Sequence, residues 1–171
     1  MARLVLTVIG DDRAGLVKAL ADVVSSHDGN WEHSQLARLA GKFAGIVVVT
    51  VPQDRSDALV AGLREIEGLE VTVHTATDQP SAGEVWQRLT IDLIGNDHPG
   101  IVRDISGVLS RHGLTIEEMD TESREAPMAG GQLFEAHIVA LVPPEGEPAD
   151  VRGDLETIAS ELMVELKVDA P

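Results

Sequence analysis

An internal repeat restricts the fold of this chain more than any other feature of its sequence. Residues 10–18 (GDDRAGLVK) match residues 95–103 (GNDHPGIVR) at an offset of 85, and residues 43–52 match residues 134–143 at an offset of 91. The difference places an insertion of six residues in the second copy, within the segment 126–132. A chain that repeats itself over most of its length is expected to form two homologous folding units.

The repeat also sets the expected domain boundaries. It places the first unit at residues 1–76 and the second at residues 87–171. The segment 77–86 contains Pro, Ser and Gly among polar side chains, a composition that favours a linker. We therefore expect two domains of similar size joined by a short connection.

Hydrophobic spacing predicts the same elements in both units. In the second unit, Leu89, Ile91 and Leu93 alternate with polar residues, which indicates a strand with one buried face. The next segment of each unit has apolar residues at i, i+1, i+4, i+7 and i+8, the spacing of a helix with one apolar face. These residues are Leu16, Val17, Leu20, Val23 and Val24 in the first unit and Ile101, Val102, Ile105, Val108 and Leu109 in the second.

The remaining patterns complete a βαββαβ order in each unit. Two extended runs, a second helix and a short final strand follow the first helix. Polar residues alternate with apolar ones in the first and last strands, which suits an antiparallel four-stranded sheet with both helices on one face. Right-handed crossovers then give the ferredoxin-like topology. The predicted fold class is α+β, with two ferredoxin-like units.

The charge balance excludes several kinds of partner. The chain has 13 Lys and Arg against 29 Asp and Glu, for a formal net charge of −16 at pH 7. Because affinity for nucleic acid rests mainly on cations that neutralise phosphates, we expect no direct binding to DNA or RNA. The same charge opposes docking on an anionic membrane. The first residues form too short an apolar run for a signal sequence, so we expect a soluble cytoplasmic protein.

The turn between the first strand and the first helix is the best-marked polar segment of each unit. It comprises residues 10–15 in the first unit and 95–100 in the second. Glycine permits positive φ angles, and Asp or Asn caps helix amides, so a purely structural role explains the turn as well as a functional one does. In the functional interpretation, the helix amides bind a carboxylate while Asp12 or Asp97 pairs with an ammonium group. Such a turn suits a zwitterionic amino acid.

Other polar residues have simpler explanations. His27 and His112 lie near a helix end, where imidazole caps carbonyls, and the six His show no metal-binding spacing. The chain has no Cys, and Asp11 corresponds to Asn96 in the repeat, which argues against catalysis. Trp31 suits either core packing or the lining of a ligand cleft. We expect neither a metal nor a cofactor.

The two turn sequences resemble the Asp-Arg-Pro-Gly signature of ACT domains, which are regulatory modules of βαββαβ topology that bind small molecules. Residues 29–32 (GNWE) and 37–45 (ARLAGKFAG) are similar to the glycine cleavage system transcriptional repressor family, and the resemblance covers almost the whole chain. It implies an amino-acid sensor, with glycine as the ligand, that contacts a DNA-binding activator. The sequence departs from the family pattern at Ala14, where the family has Pro, and at His98, where it has Arg.

The turns and the resemblance together indicate a set of ligand-binding residues, without ranking the two units. These candidates are Asp11, Asp12, Arg13, Gly15, Leu16, Asn30, Asn96, Asp97, His98, Gly100 and Ile101. The expected partners are a small amino acid (glycine first), a DNA-binding transcription factor or other regulatory protein, and a second copy of the chain in a homodimer. Two alternatives stay open: a ligand-independent ACT interaction module, and a regulatory subunit of a separate amino-acid or one-carbon metabolic enzyme. The chain is not expected to be an enzyme itself, because two such units leave no room for a catalytic domain.

Overall fold

The computed structural model describes residues 1–76, 86–126 and 130–169. The chain divides into two compact units, Met1–Pro80 and Ser81–Pro171, which we call unit one and unit two. Apart from Trp86, the linker expected at residues 77–86 lies outside the described residues. The boundaries proposed from the repeat therefore stay a prediction.

Each unit contains four strands and two α-helices in the predicted order. Unit one has β1 (Ala2–Asp11), α1 (Leu16–Ser26), β2 (Asn30–Leu39), β3 (Lys42–Val51), α2 (Ser56–Arg64) and β4 (Leu69–Thr75). Unit two has β5 (Gln87–Asn96), α3 (Ile101–Arg111), β6 (Thr115–Glu125), β7 (Gln132–Val142), α4 (Pro148–Leu162) and β8 (Val164–Asp169).

Both sheets are antiparallel and have the same topology. The strand order is β2-β3-β1-β4 in unit one and β6-β7-β5-β8 in unit two. The register also agrees, since Gly10 lies between Phe43 and Leu69 in unit one as the equivalent Gly95 does between its neighbours in unit two. The predicted α+β fold, with two ferredoxin-like units, is confirmed.

Each unit has its own core between the sheet and the two helices. The fully buried side chains include Leu6, Leu20, Leu59 and Leu63 in unit one, and Leu89, Ile91, Ile105 and Leu155 in unit two. Successive strand residues point to opposite sides, so the residues between the buried ones form the other side of each sheet, which we call its open face. Trp31 is half-buried against the core of unit one, in agreement with the core-packing alternative.

A β-bulge interrupts the same edge strand in both units. The register shifts at Glu32 of β2 and at Glu117 of β6, which are 85 residues apart. Arg3 Nε donates a hydrogen bond to Glu32 at 2.9 Å, and Arg88 Nη2 donates one to Glu117 at 2.6 Å. The bulge and its arginine are therefore common features of the two copies, although the sequence pattern gave no sign of them.

The connection between the second and third strands accounts for the insertion in unit two. In unit one, Ala40 and Gly41 form a tight hairpin turn with φ angles of 48° and 78°. The equivalent connection in unit two runs from residue 126 to residue 131, of which 127–129 lie outside the described residues. None of the helices in the described ranges is long and apolar enough to span a membrane.

Candidate functional site

The first glycine of each turn allows the last strand of the unit to approach closely. A Cβ atom on Gly10 would overlap the carbonyl oxygen of Gly68, just before β4. A Cβ atom on Gly95 would lie 2.5 Å from Cγ1 of Val164 in β8. The prediction that these turn glycines have positive φ angles is wrong for Gly10 and Gly95. They are ordinary strand residues, and their position requires the absence of a side chain.

The last glycine of each turn has the positive φ that was expected. Gly15 (φ 92°) precedes α1, and Gly100 (φ 105°) precedes α3. Their carbonyls accept the first helical hydrogen bonds, from Ala19 and Asp104, at 2.9 Å. Among the described residues, no side chain caps either helix, so the expected capping by Asp or Asn is wrong. Both helices therefore begin with amides open to a ligand and with the positive end of the helix dipole.

The two helix N termini differ in charge and in free space. Within the described residues, the first turn of α1 has no acidic side chain, and a Cβ atom on Gly15 would meet nothing within 4 Å. In α3, Asp104 lies in the first turn, pairs with Arg103 at 2.7 Å and leaves less room around Gly100. Because Asp104 already interacts with the positive end of the dipole, α1 is the better position for a free carboxylate.

The second Asp of each turn connects the turn to the adjacent hairpin. The backbone N–H of Asp12 donates to the Gly41 carbonyl at 3.0 Å, and the N–H of Asp97 makes the equivalent bond at 2.8 Å. Arg38 Nη1 lies 3.5 Å from the Asp12 carboxylate, whereas Ser123 Oγ donates to the Asp97 carboxylate at 2.6 Å. A long, exposed ion pair contributes little, so Asp12 is the more available of the two for an ammonium group.

Asp11 forms a cross-strand ion pair at the end of the sheet. Its carboxylate accepts a hydrogen bond from Lys42 Nζ, the residue opposite it on β3. This hydrogen bond, together with the charge of Lys42, lowers the pKa of Asp11 below its ordinary value. Asn96 takes the same position in unit two and carries no charge. The turn of unit two therefore forms without this ion pair.

Arg13 and His98 occupy equivalent positions and make equivalent contacts. Arg13 Nη2 donates a hydrogen bond to the backbone carbonyl of Glu67, and His98 Nε2 lies 3.1 Å from the backbone carbonyl oxygen of Leu162. Glu67 lies in the turn between α2 and β4, and Leu162 is the last residue of α4, two residues before β8 begins. The departure from the family pattern at His98 thus preserves a backbone contact with a different side chain. Both side chains are engaged within their own units.

His98 is held by two backbone carbonyls. Its Nε2 faces Leu162, and its Nδ1 lies 3.2 Å from the carbonyl oxygen of Pro99. Only the protonated ring can donate from both nitrogens. The hydrogen bonds to Leu162 and Pro99 raise the pKa of His98 above its ordinary value, and the charges of Asp97 and Asp104 act in the same direction.

Three of the candidate residues have side chains that point away from the helix N termini, although the backbone amides of Leu16 and Ile101 are the first of α1 and α3. Leu16 and Ile101 belong to the cores and are only 3% and 2% exposed. Asn30 pairs with Thr50 at the end of the sheet opposite to Asp11, at a distance of about 26 Å along eight strand residues. Within unit one, the structure does not bring Asn30 together with the turn.

An exposed valine beside each helix N terminus was missed as a candidate. Val17 and Val102 are 45% and 43% exposed, although the helical spacing predicted that they belong to the buried apolar face. That assignment is wrong because successive helix residues are rotated by about 100°, and Leu16 and Ile101 already face the core. The sequence feature that could have identified this position is the valine that recurs at an offset of 85. Each valine gives the helix N terminus an apolar neighbour.

The described residues contain no cluster of three or more His, Asp or Glu side chains that could hold a metal ion.

Comparison with known protein families matches residues 2–75, which include β1 to β4, to the family described as the ACT domain. Unit two repeats the topology and the turn of unit one. The chain belongs to the ACT domain family. It is a tandem ACT protein, with one such fold in each unit.

Two curated proteins are similar to this chain in sequence. The glycine cleavage system transcriptional repressor of Escherichia coli (strain K12) is 24% identical to this ACT protein over 166 residues, which cover 93% of this chain and 85% of the repressor. A UPF0237 protein of Methanopyrus kandleri is 37% identical over 65 residues, 38% of this chain and 70% of that protein. The ACT fold and the likeness to a repressor over most of the chain support a regulatory, amino-acid-sensing role.

Two solved structures have counterparts for both ACT folds. An unknown protein from Galdieria sulphuraria superposes with a TM-score of 0.88 at 27% identity, covering 99% of this chain and 98% of that one. A candidate glycine cleavage system transcriptional repressor superposes with a TM-score of 0.68, covering 99% and 97%. Its identity is 13%, so it is evidence for the shared fold alone.

Proposed function

We propose that this tandem ACT protein senses a small amino acid, with glycine as the first candidate, and regulates transcription in the cytoplasm by contacting another protein. The likeness to a glycine cleavage system transcriptional repressor over 93% of the chain supports the choice of process and ligand. The net charge of −16 supports regulation through a protein partner, because a DNA-binding surface needs cations to neutralise phosphates.

The N terminus of α1 is the observation that carries the proposal. Its first amides lack a side-chain cap among the described residues, its first turn has no acidic residue, and the space in front of Gly15 is open. The carboxylate of the ligand binds to these amides, where the helix dipole favours a negative charge. The ammonium group pairs with Asp12, and Val17 borders the site.

A signal follows from ligand binding only if two arrangements of the protein differ in affinity for the amino acid. A bound ligand shifts the population toward the arrangement that it prefers, and by no more than that preference. The α1 turn is hydrogen-bonded to the β2–β3 hairpin through the N–H of Asp12 and to the turn before β4 through Arg13. A change in the turn on ligand binding is therefore passed to both edges of the sheet.

Calorimetric titration of the purified chain with glycine, alanine, serine and glutamate tests the proposal. We expect saturable binding of glycine that is lost in Gly15→Asn and retained in Gly100→Asn. Asn tolerates left-handed backbone angles better than other side chains do, and its amide fills the space in front of α1. The two variants make the same change at equivalent turns, so each is the control for the other.

Circular dichroism spectra of both variants establish that they fold before binding is compared. Equal glycine affinity in wild type and folded Gly15→Asn overturns the α1 site. Failure of the folded wild type to bind any of the four amino acids overturns the sensing function and supports the ligand-independent interaction module instead.

A further inference from the structure

The central rows of the open face of the unit-one sheet are almost free of charge, and the ion pairs Arg3–Glu32 and Lys42–Asp11 lie at its two ends. Three consecutive rows cross its four strands in the order β2, β3, β1 and β4. These rows are His33–Val48–Val5–His74, Gln35–Ile46–Thr7–Thr72 and Ala37–Ala44–Ile9–Glu70. All twelve residues are described, Glu70 is the one carboxylate among them, and none is Lys or Arg.

Large apolar side chains are exposed on this face. Ile46 at its centre is 50% exposed, and Ile9 in the adjoining row is 46% exposed. Leu39, which follows Ala37 on the same side of β2, is 77% exposed. Single exposed hydrophobic residues are ordinary, but a contiguous apolar patch indicates a surface that binds a partner.

The equivalent rows of unit two have the opposite character. They are Glu118–Val139–Thr90–Asp169, Asp120–His137–Asp92–Lys167 and Glu122–Glu135–Ile94–Glu165. The middle row is charged or titratable on every strand, and His137 Nδ1 lies 2.6 Å from the Asp92 carboxylate. The two units have the same backbone topology, so the difference between their open faces lies in the side chains.

We propose that two copies of this chain associate through the open faces of their first units. Each copy has a net charge of −16, so most contacts between copies bring like charges together. The open face of unit one avoids this repulsion, whereas that of unit two would place carboxylates against carboxylates. A neutral, apolar surface on a strongly acidic protein therefore fits a second copy of itself, and the two sheets pack face to face.

The area of the face matches a reversible dimer. Four strands spaced by about 4.8 Å and eight residues with a rise of about 3.4 Å, which include the row of Leu39, Lys42 and Asp11 beside the three neutral rows, give a surface of about 500 Å² per copy. Two such faces bury about 1,000 Å², which is near the lower limit for a specific interface. We therefore expect association that depends on protein concentration. Because salt screens the repulsion between acidic chains, dimerisation should strengthen as salt increases.

Sedimentation equilibrium of the full chain over a series of concentrations tests this interface. We expect Ile46→Lys to weaken dimerisation tenfold or more, because the new charge is buried without a partner in the contact. The control is Ala61→Lys, which adds the same charge at an exposed position of α2. Gln35→Lys, in the same row as Ile46 but on the exposed edge strand, is a second variant that keeps the core intact.

All three Lys substitutions reduce the net negative charge, so general electrostatics favours association, and a loss of dimerisation confined to folded Ile46→Lys and Gln35→Lys can come only from the face itself. A wild type that stays monomeric at every concentration and salt level overturns the proposal. Dimerisation of folded Ile46→Lys and Gln35→Lys with wild-type affinity also overturns it, as does equal weakening by Ala61→Lys. The measurement is made without any amino acid, so its outcome is independent of the proposed ligand site.

Discussion

The position occupied by Arg13 in unit one and by His98 in unit two determines how each turn responds to pH. A guanidinium stays protonated over the physiological range, whereas imidazole changes its charge there. Because both ring nitrogens of His98 face backbone carbonyls, loss of a proton removes one of the two hydrogen bonds. The surrounding groups are Asp97 on its own turn and Asp104 on α3, which is itself paired with Arg103.

We expect His98→Arg to reduce the dependence of stability on pH. The pKa of His98 is raised above 6.5 in the folded state, so the stabilisation by its charged form is complete below pH 6.5 and is lost as the pH rises through the folded-state pKa. The variant keeps a permanent donor to Leu162. Its free energy of unfolding, measured by urea denaturation, should therefore exceed that of wild type by a margin that grows between about pH 6 and about pH 8.

Unit one supplies the reciprocal variant as a control. Arg13→His places a titratable side chain opposite the Glu67 carbonyl, so this variant should lose stability relative to wild type over the same rise in pH. If the free energy of unfolding depends on pH in the same way in wild type and in His98→Arg, the contact between His98 and Leu162 is contradicted.

The turn before the last strand contains a residue with a left-handed backbone conformation in both units. Gly68 has a φ of 76°, and its counterpart Met163 has a φ of 54°. A side chain in this conformation costs about 1–2 kcal/mol, which glycine avoids. Met163 is 82% exposed, so removal of its side chain loses little buried apolar surface.

We expect Met163→Gly to raise the free energy of unfolding by about 1 kcal/mol, since relief of the strained backbone exceeds the entropy lost by glycine. Met163→Ala is the matched control, because it removes the same exposed side chain but keeps the Cβ atom. Urea denaturation followed by circular dichroism measures both variants. An equal gain in the two would show that the exposed methionine, and not the backbone angle, was responsible.

The elements themselves could be predicted because their signals are local. The alternation of Leu89, Ile91 and Leu93 and the helical spacing of the next segment involve only residues close together in the sequence. The repeat shows each pattern twice, once in each unit. The contact between Arg13 and Glu67 joins residues 54 positions apart, and no local pattern encodes it. The role of Gly10 was missed for the same reason, because the atom that excludes a side chain belongs to Gly68.

Most cations of the protein are engaged by partners within the chain. Within the described residues, nine of the thirteen Lys and Arg form salt bridges with carboxylates: Arg3, Lys18, Arg38, Lys42, Arg55, Arg88, Arg103, Arg124 and Lys167. Of the rest, Arg13 and Arg152 donate to backbone carbonyls. Few cations are therefore left to contact phosphates, in addition to the excess of sixteen negative charges.

We therefore expect this protein alone to leave DNA mobility unchanged, even at low salt, where electrostatic attraction is strongest. Binding to DNA gains free energy when cations of the protein displace counterions from phosphates, and here nine of the thirteen cations would first have to leave a carboxylate. Gel mobility-shift assays with duplexes from promoters of glycine-metabolism genes measure this, with a basic DNA-binding protein as the positive control. If the protein regulates transcription as proposed, a change in mobility appears only after the DNA-binding partner is added. Sequence-selective retardation by this protein alone would show that it binds DNA directly.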